Sequence, residues 1–299
     1  MVIALNKMTN MPSFIARQPW LKLKTTINVV RAFSTDYSNQ SRGGLPRFFS
    51  PTLPSSKGGV VRVQGDEFWH MIKVLRLKVN DRIELFNGKG CLVEGSIEKV
   101  DRTGLDFVAI RDSVVVHPHE PQWDVFAALG TLKGGRADWL VEKCTVCFWQ
   151  LCFHLSFKEL GASSITPLLT ERSALISENR VDRLQRVILA ATKQCQRLHE
   201  MTLNPPMQIS SIVPMVARSK LSFVATAEGT PIFSTLESSN IEAKGSLIIG
   251  PEGDFTEEEL KMITEAGATA VGLGPHRLRV ETATIALLAT LIMWSDSQQ

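Results

Sequence analysis

Three side chains near the carboxyl end of the sequence could do chemistry together: Arg277, Arg279 and Glu281. Arginine stays protonated, so it cannot act as a base, but it can hold fixed donors against an anion as it forms. Two arginines two residues apart in a non-helical loop point to different sides, so one could face a reacting group and the other a phosphate. Glu281 is the nearest carboxylate and therefore the candidate proton acceptor. It has a competing role, because Glu281-Thr282 opens the last helix, where an acid complements the helix dipole. Glu252 carries a similar ambiguity: it either holds a turn or hydrogen-bonds a ligand.

Two glycine-rich loops must position these groups. The first follows the apolar run Ser246-Leu247-Ile248-Ile249 and reads Gly250-Pro251-Glu252-Gly253-Asp254-Phe255, with the acidic helix start Thr256 to Glu259 behind it. The second follows Ala270-Val271 and reads Gly272-Leu273-Gly274-Pro275-His276-Arg277-Leu278-Arg279. Each is a buried-strand pattern, a Gly/Pro turn and a helix start. In an open α/β sheet ligands bind at the carboxyl ends of strands. Glycines there let main-chain groups approach a ligand without a Cβ between them. The pair predicts a cofactor pocket built largely of backbone.

These loops resemble the signature loops of the SPOUT methyltransferases, most closely the bacterial family that methylates N3 of a uridine in 16S-type ribosomal RNA. That family carries a GPEGG-F-x-x-E loop and an L-G-x-x-x-L-R-x-E-T-A loop. Asp254 stands here where the first has its last glycine, and the second is intact from Leu273 to Ala283. The resemblance implies an α/β fold: a C-terminal trefoil-knot methyltransferase domain over 122–299, preceded by a small PUA-like β-barrel domain over 46–118. It implies S-adenosylmethionine as cofactor, held by Thr226, Ile249, Gly250, Pro251, Glu252, Gly253, Leu273, Gly274 and Leu278. Small-subunit rRNA or an assembling ribosomal subunit is the implied partner, contacted through Arg76, Lys133, Arg136, Arg172 and Arg197. The family also implies a homodimer. Ribose 2′-O-methylation and a non-catalytic RNA-binding or assembly role stand as alternatives.

The rest of the chain is compatible with this. Its 299 residues and 44% hydrophobic content suffice for two domains. A net charge of +3 excludes a polybasic RNA-coating protein but permits a locally basic face. Short strands around Asn87-Gly88 read as a β-rich unit with one helix, Asp66 to Arg76. The region after His117 to Pro121 alternates strand and helix, the pattern of a mostly parallel sheet. The five cysteines show no metal spacing, so no metal is expected, and no apolar run is long enough to span a membrane.

Two segments stand apart. Residues 1–45 read as a transit peptide and linker: the first thirty-five carry Lys7, Arg17, Lys22, Lys24 and Arg31 and no acid. An organelle is expected, the mitochondrion ahead of the chloroplast. Residues 146–158 form an insertion relative to the family, with nine of thirteen residues apolar and no turn former. Without it, Lys143-Cys144-Thr145 runs into Glu159-Leu160-Gly161 as one helix with a glycine C-cap. Its expected origin is alternative splicing or a gene-model error.

Overall fold

The structure, a computed structural model, describes residues 44–118, 120, 122–146, 161–173, 175–240, 242, 244–274 and 276–297. The expected transit peptide and all of the insertion after Val146 lie outside the described residues.

The front unit is a β-sheet of β1 (Arg47–Phe49), β2 (Val60–Val63), β3 (Arg82–Phe86), β4 (Cys91–Val100), β5 (Leu105–Ala109) and β6 (Val114–Val115). The order is β1-β3-β4-β5-β2, with β6 on β4. Alternate residues point inward, so Ile83, Leu85, Val93, Ile97, Leu105 and Phe107 form its core with Phe48 and Met71. The expected helix is present but not regular: α1 (Gly65–Trp69) passes into a π-helical turn over His70–Val74. His70 is half-buried and meets the Phe48 ring edge-on at 6.2 Å, a packing role.

The second unit is a sheet of β7 (Gln122–Ala127), β8 (Ser164–Leu169), β9 (Thr202–Leu203), β10 (Met207–Gln208), β11 (Ser222–Pro231), β12 (Lys244–Ile249) and β13 (Thr269–Gly272). Its order is β10-β8-β7-β12-β11-β13, with β9 also on β8, and every pairing is parallel. Strand residues alternate between two cores. Val125, Phe223, Leu247 and Ile249 face α2 (Arg136–Val146), α3 (Glu178–Cys195) and α7 (Val280–Ser297). Phe126, Val224 and Ile248 face α4 (Ile209–Arg218) and α6 (Glu257–Glu265) on the other side. Strands buried on both faces account for the near-continuous apolar runs in the sequence. Helix α4 and the short α5 (Ile232–Glu237) were not expected.

Backbone hydrogen bonds join the units. Gly90 N donates to Leu198 O at 2.8 Å and Glu200 N to Gly88 O at 2.7 Å. The Asn87-Gly88 turn thus both closes a hairpin and docks on the segment after α3. Lys193 adds a cation over the Phe49 ring, 5.0 Å from its centroid.

Arg197 does not act as expected. It is 8% exposed, and its guanidinium donates to Thr145 O at 3.1 Å and Ala162 O at 2.8 Å. Thr145 O belongs to the last turn of α2 and Ala162 O to the segment that enters β8, so the buried guanidinium ties that helix end to the next strand. The same place explains the insertion. Ala162 N donates to Cys144 O at 3.0 Å, and Gly161 has φ +151°. Counted without 146–158, Ala162 is the sixth residue from Cys144, and this is the 6→1 bond of a glycine-terminated helix. Deleting residues 146–158 is therefore expected to preserve the fold. Circular dichroism should be unchanged and the melting temperature no lower; an unfolded deletion variant would show that the segment is built into the core.

Candidate active site

The site forms where β12, β11 and β13 end side by side. Ala225 is level with Ile249 on one side and Val271 on the other, so three strand ends open at one height. Beyond Ala225, β11 makes an excursion before Thr230 pairs again with Val271. Gly229 closes that excursion; a Cβ there would lie 2.4 Å from the Val271 carbonyl carbon. β11 thereby continues to Pro231.

A cleft of about 560 Å³, open mouth included, occupies the strand ends. Seven of the nine expected cofactor residues line it: Thr226, Ile249, Gly250, Pro251, Leu273, Gly274 and Leu278. The two glycines are needed for different reasons. Gly274 has φ +114° with open space around it, so the backbone requires it. A Cβ on Gly250 would meet the Phe255 ring at 2.9–3.3 Å, so packing requires it. Glu252 lines a neighbouring cleft instead, and Gly253 gives its carbonyl to Arg172 Nη1 at 2.6 Å.

Asp254 sits in the left-handed region at φ +59°, where glycine is at ease. This is the position at which the family loop has glycine. Its carboxylate accepts a hydrogen bond from Arg277 and joins the first loop to the second at the cleft mouth. Asp254 and His276, which also line the cleft, were missed as site residues. The departure from GPEGG was the available signal for Asp254; His276 gave none.

The neighbouring cleft, about 760 Å³ with its open mouth, is lined by Arg136, Glu252, Arg277, Leu278 and Arg279. It shares Arg277 and Leu278 with the first. Arg136 and Arg277 are paired with acids, so the charge it offers an anionic ligand rests on Arg279, which has no acid partner among the described residues. Arg279 is exposed, and its carbonyl accepts from Ala283 N at 2.8 Å, which places it just before α7. Glu281, 8% exposed, lies in the first turn of α7. Its Oε1 is 3.4 Å from Arg136 Nη1, and its Oε2 is buried with no hydrogen-bond partner among the described residues.

Arg136 Nη1 also binds Glu252 Oε1 at 2.6 Å, so one guanidinium spans both carboxylates. The Glu252 hydrogen bond raises the arginine's pKa above its ordinary value; partial burial opposes this and Glu281 reinforces it. Lys133 is exposed on the loop just before Arg136, Arg172 is exposed beside the first loop, and Arg76 is exposed on the front unit. Among the described residues there is no group of three or more His, Cys, Asp or Glu able to hold a metal, and no helix is long and apolar enough to cross a membrane.

Comparison with known proteins agrees with this geometry. Residues 118–292 match the model of the RNA methyltransferase domain, and residues 63–110 match that of the RNA methyltransferase PUA domain. The chain is 29% identical over 253 residues to the ribosomal RNA small subunit methyltransferase E of Mycobacterium bovis, covering 82% of this chain and 90% of that one. It is similar to a Legionella pneumophila methyltransferase solved with bound SAM, at 26% identity and TM-score 0.63, over 83% of this chain and 96% of that one. The fold matches ribosomal RNA small subunit methyltransferase E of Neisseria gonorrhoeae, solved bound to S-adenosyl methionine, at 22% identity and TM-score 0.64, over 83% and 97% of the two chains.

The Arg136 bridge yields an expectation for stability. Arg136→Ala removes the cation facing a buried carboxylate and should lower the melting temperature at neutral pH by roughly 2–4 °C. Adding Glu281→Gln should restore part of that loss, since the amide carries no charge to compensate. Melting curves of the single and double variants would check this; two independent, additive losses would mean that the residues are not coupled.

Proposed function

We propose, from the premise that this chain belongs to the RNA methyltransferase family, that it methylates a uridine at N3 in small-subunit ribosomal RNA. The observation that carries the reading is the pair of abutting clefts: one of backbone at the strand ends, one of arginines, sharing Arg277 and Leu278. The residues of the first cleft suit S-adenosylmethionine. Gly274 leaves backbone accessible along its wall, and Ile249, Leu273 and Leu278 offer apolar surface to an adenine ring. When bound, that cofactor supplies the methyl group.

The protein's part is positioning and charge. Uracil N3–H is a weak acid, and losing its proton spreads negative charge over the two flanking carbonyl oxygens. Arg279, exposed in the second cleft and fixed by its place before α7, serves as the donor to that anion. Arg277 is held by Asp254 at the junction of the clefts and orients the loop. Glu281 Oε2 is the proposed proton acceptor, supported by its burial without a partner. Lys133, Arg136, Arg172 and Arg76 are cations for the phosphate backbone.

Three further points belong to the same reading. The chain is proposed to thread a trefoil knot, supported by β11 lying between two later strands and by α7 packing back on β12 and β7. It is proposed to pair with a second copy, supported by the exposure of apolar Phe233 (68%) and Met293 (64%). Import into an organelle, the mitochondrion first, is supported by the basic, acid-free residues 1–35.

Nucleoside mass spectrometry of rRNA methylated by the protein tests the reading; 3-methyluridine is expected, and a 2′-O-methyl nucleoside or no product would overturn it. Within it, Arg279→Ala should bind S-adenosylmethionine nearly normally yet lose methyl transfer by about a hundredfold or more. Arg279→Lys should rescue poorly, because an ammonium lacks the planar fork. Equal loss of binding and turnover would make Arg279 a structural part of the loop.

A further inference from the structure

The front unit presents an aromatic side chain where a globular domain has no structural use for one. Trp69 is 60% exposed, the most exposed of the described tryptophans, while Trp123 is 1% exposed in the core. It sits at the last position of α1, immediately before the π-helical turn. That turn is closed by the bond from Leu75 N to His70 O, five residues back, at 3.0 Å. With i→i+5 bonding, residues five apart share a face. Val74 therefore falls in line with Trp69, and it is 50% exposed. An uninterrupted α-helix would have turned Val74 partly away.

Cations flank this face. Lys73, Arg76 and Lys78 are exposed, and none makes an ion pair or side-chain hydrogen bond with a described residue. Three acids also lie in the segment: exposed Asp66 is three residues before Trp69 and shares its side of α1, and the Asp81 carboxylate accepts from the Lys78 backbone N–H at 2.7 Å. Glu67 is turned toward Lys193, 3.8 Å away across the seam, and Asp66 lies in the first turn. Arg76 holds φ +57°, a conformation that side-chain-bearing residues rarely adopt. Strain of this kind at an exposed cation accompanies sites where the direction of the side chain matters.

We propose that Trp69 is a stacking platform for an unpaired base of the RNA substrate, with Lys73, Arg76 and Lys78 holding the adjoining phosphates. The indole and the Val74 side chain take the flat face of the base, and the π turn sets the two in register. An exposed aromatic ring followed within nine residues by three exposed cations suits single-stranded RNA, whose bases are splayed out and stack on aromatic side chains. A protein partner would need an acidic patch matched to the three cations, whereas RNA carries a phosphate at every nucleotide. A duplex would offer phosphates but no free base. The proposal rests on the reading of RNA as substrate and adds where, outside the two clefts, that RNA is gripped.

Fluorescence anisotropy with a short uridine-rich single-stranded RNA tests it on the full chain. Trp69→Ala should weaken RNA binding by about tenfold, and Trp69→Phe should stay within about threefold of the parent, because stacking needs only an aromatic face. Both variants should bind S-adenosylmethionine as the parent does, which reports an intact fold at this exposed position. Lys73→Ala and Arg76→Ala should each lower the slope of log affinity against log salt by about 0.7, whereas Trp69→Ala should leave the slope unchanged. RNA affinity of Trp69→Ala equal to the parent's, or Trp69→Phe as weak as Trp69→Ala, would overturn the stacking role while leaving the methyltransferase reading in place. Failure of the parent protein to bind RNA at all would overturn both.

Discussion

The position of β11 constrains everything else in the second unit. It lies between β12 and β13, two strands that come after it in the chain, and all three run parallel. Parallel neighbours end at the same edge of the sheet, so the loops leaving them must share one crowded space. The excursion of β11 and the tight turn after β12 are answers to that crowding. Gly229 is pressed against the Val271 backbone and Gly250 against the Phe255 ring. The loops have little freedom to relax, and rigidity of this kind is what a site needs that works by orienting two reactants rather than by covalent chemistry.

A second level of organisation is electrostatic. Arg136 comes from the start of α2, Glu252 from the loop after β12 and Glu281 from the start of α7. One guanidinium thereby ties three segments far apart in sequence. Asp254 and Arg277 do the same for the two loops at the cleft mouth. The latter pair is exposed, 60% and 54% by side chain, so its contribution to stability is small. Its effect is on the position of the loop that carries Arg279. The arginines thus divide their work: Arg136 and Arg277 are held by acids, and Arg279 is left facing the cleft.

The glycine loops and the alternating strand and helix pattern were legible because they are local: each residue's neighbours in the sequence are also its neighbours in the fold. The two clefts followed from those loops, and seven of the nine residues expected around the cofactor line the first one. Arg197 was misread because its type and its place after a helix resemble a surface cation. Only the return of Gly161 and Ala162 to the end of α2 shows that its charge is used inside. Helix α4 escaped notice because Pro214 interrupts its pattern. The π turn was invisible for a different reason: Asp66 to Arg76 has the composition of an ordinary helix, and the turn that buries Met71 and brings His70 against Phe48 has no mark in the sequence.

Arg197 also shows how the fold accommodates a segment foreign to its family. A helix end leaves carbonyls without internal partners, and burying them unpaired is costly. Here Cys144 O is met by Ala162 N, and Thr145 O by Arg197. Both partners come from parts of the chain that lie beyond the insertion. Leu140, Val141 and Cys144, from the same stretch of α2, are buried in the core of the second unit. An insertion at a helix end is tolerated when the cap is supplied from outside the inserted piece. That condition is met at this point of the chain. Two of the last carbonyls of α2 are met in this way, by residues that follow the insertion in the chain.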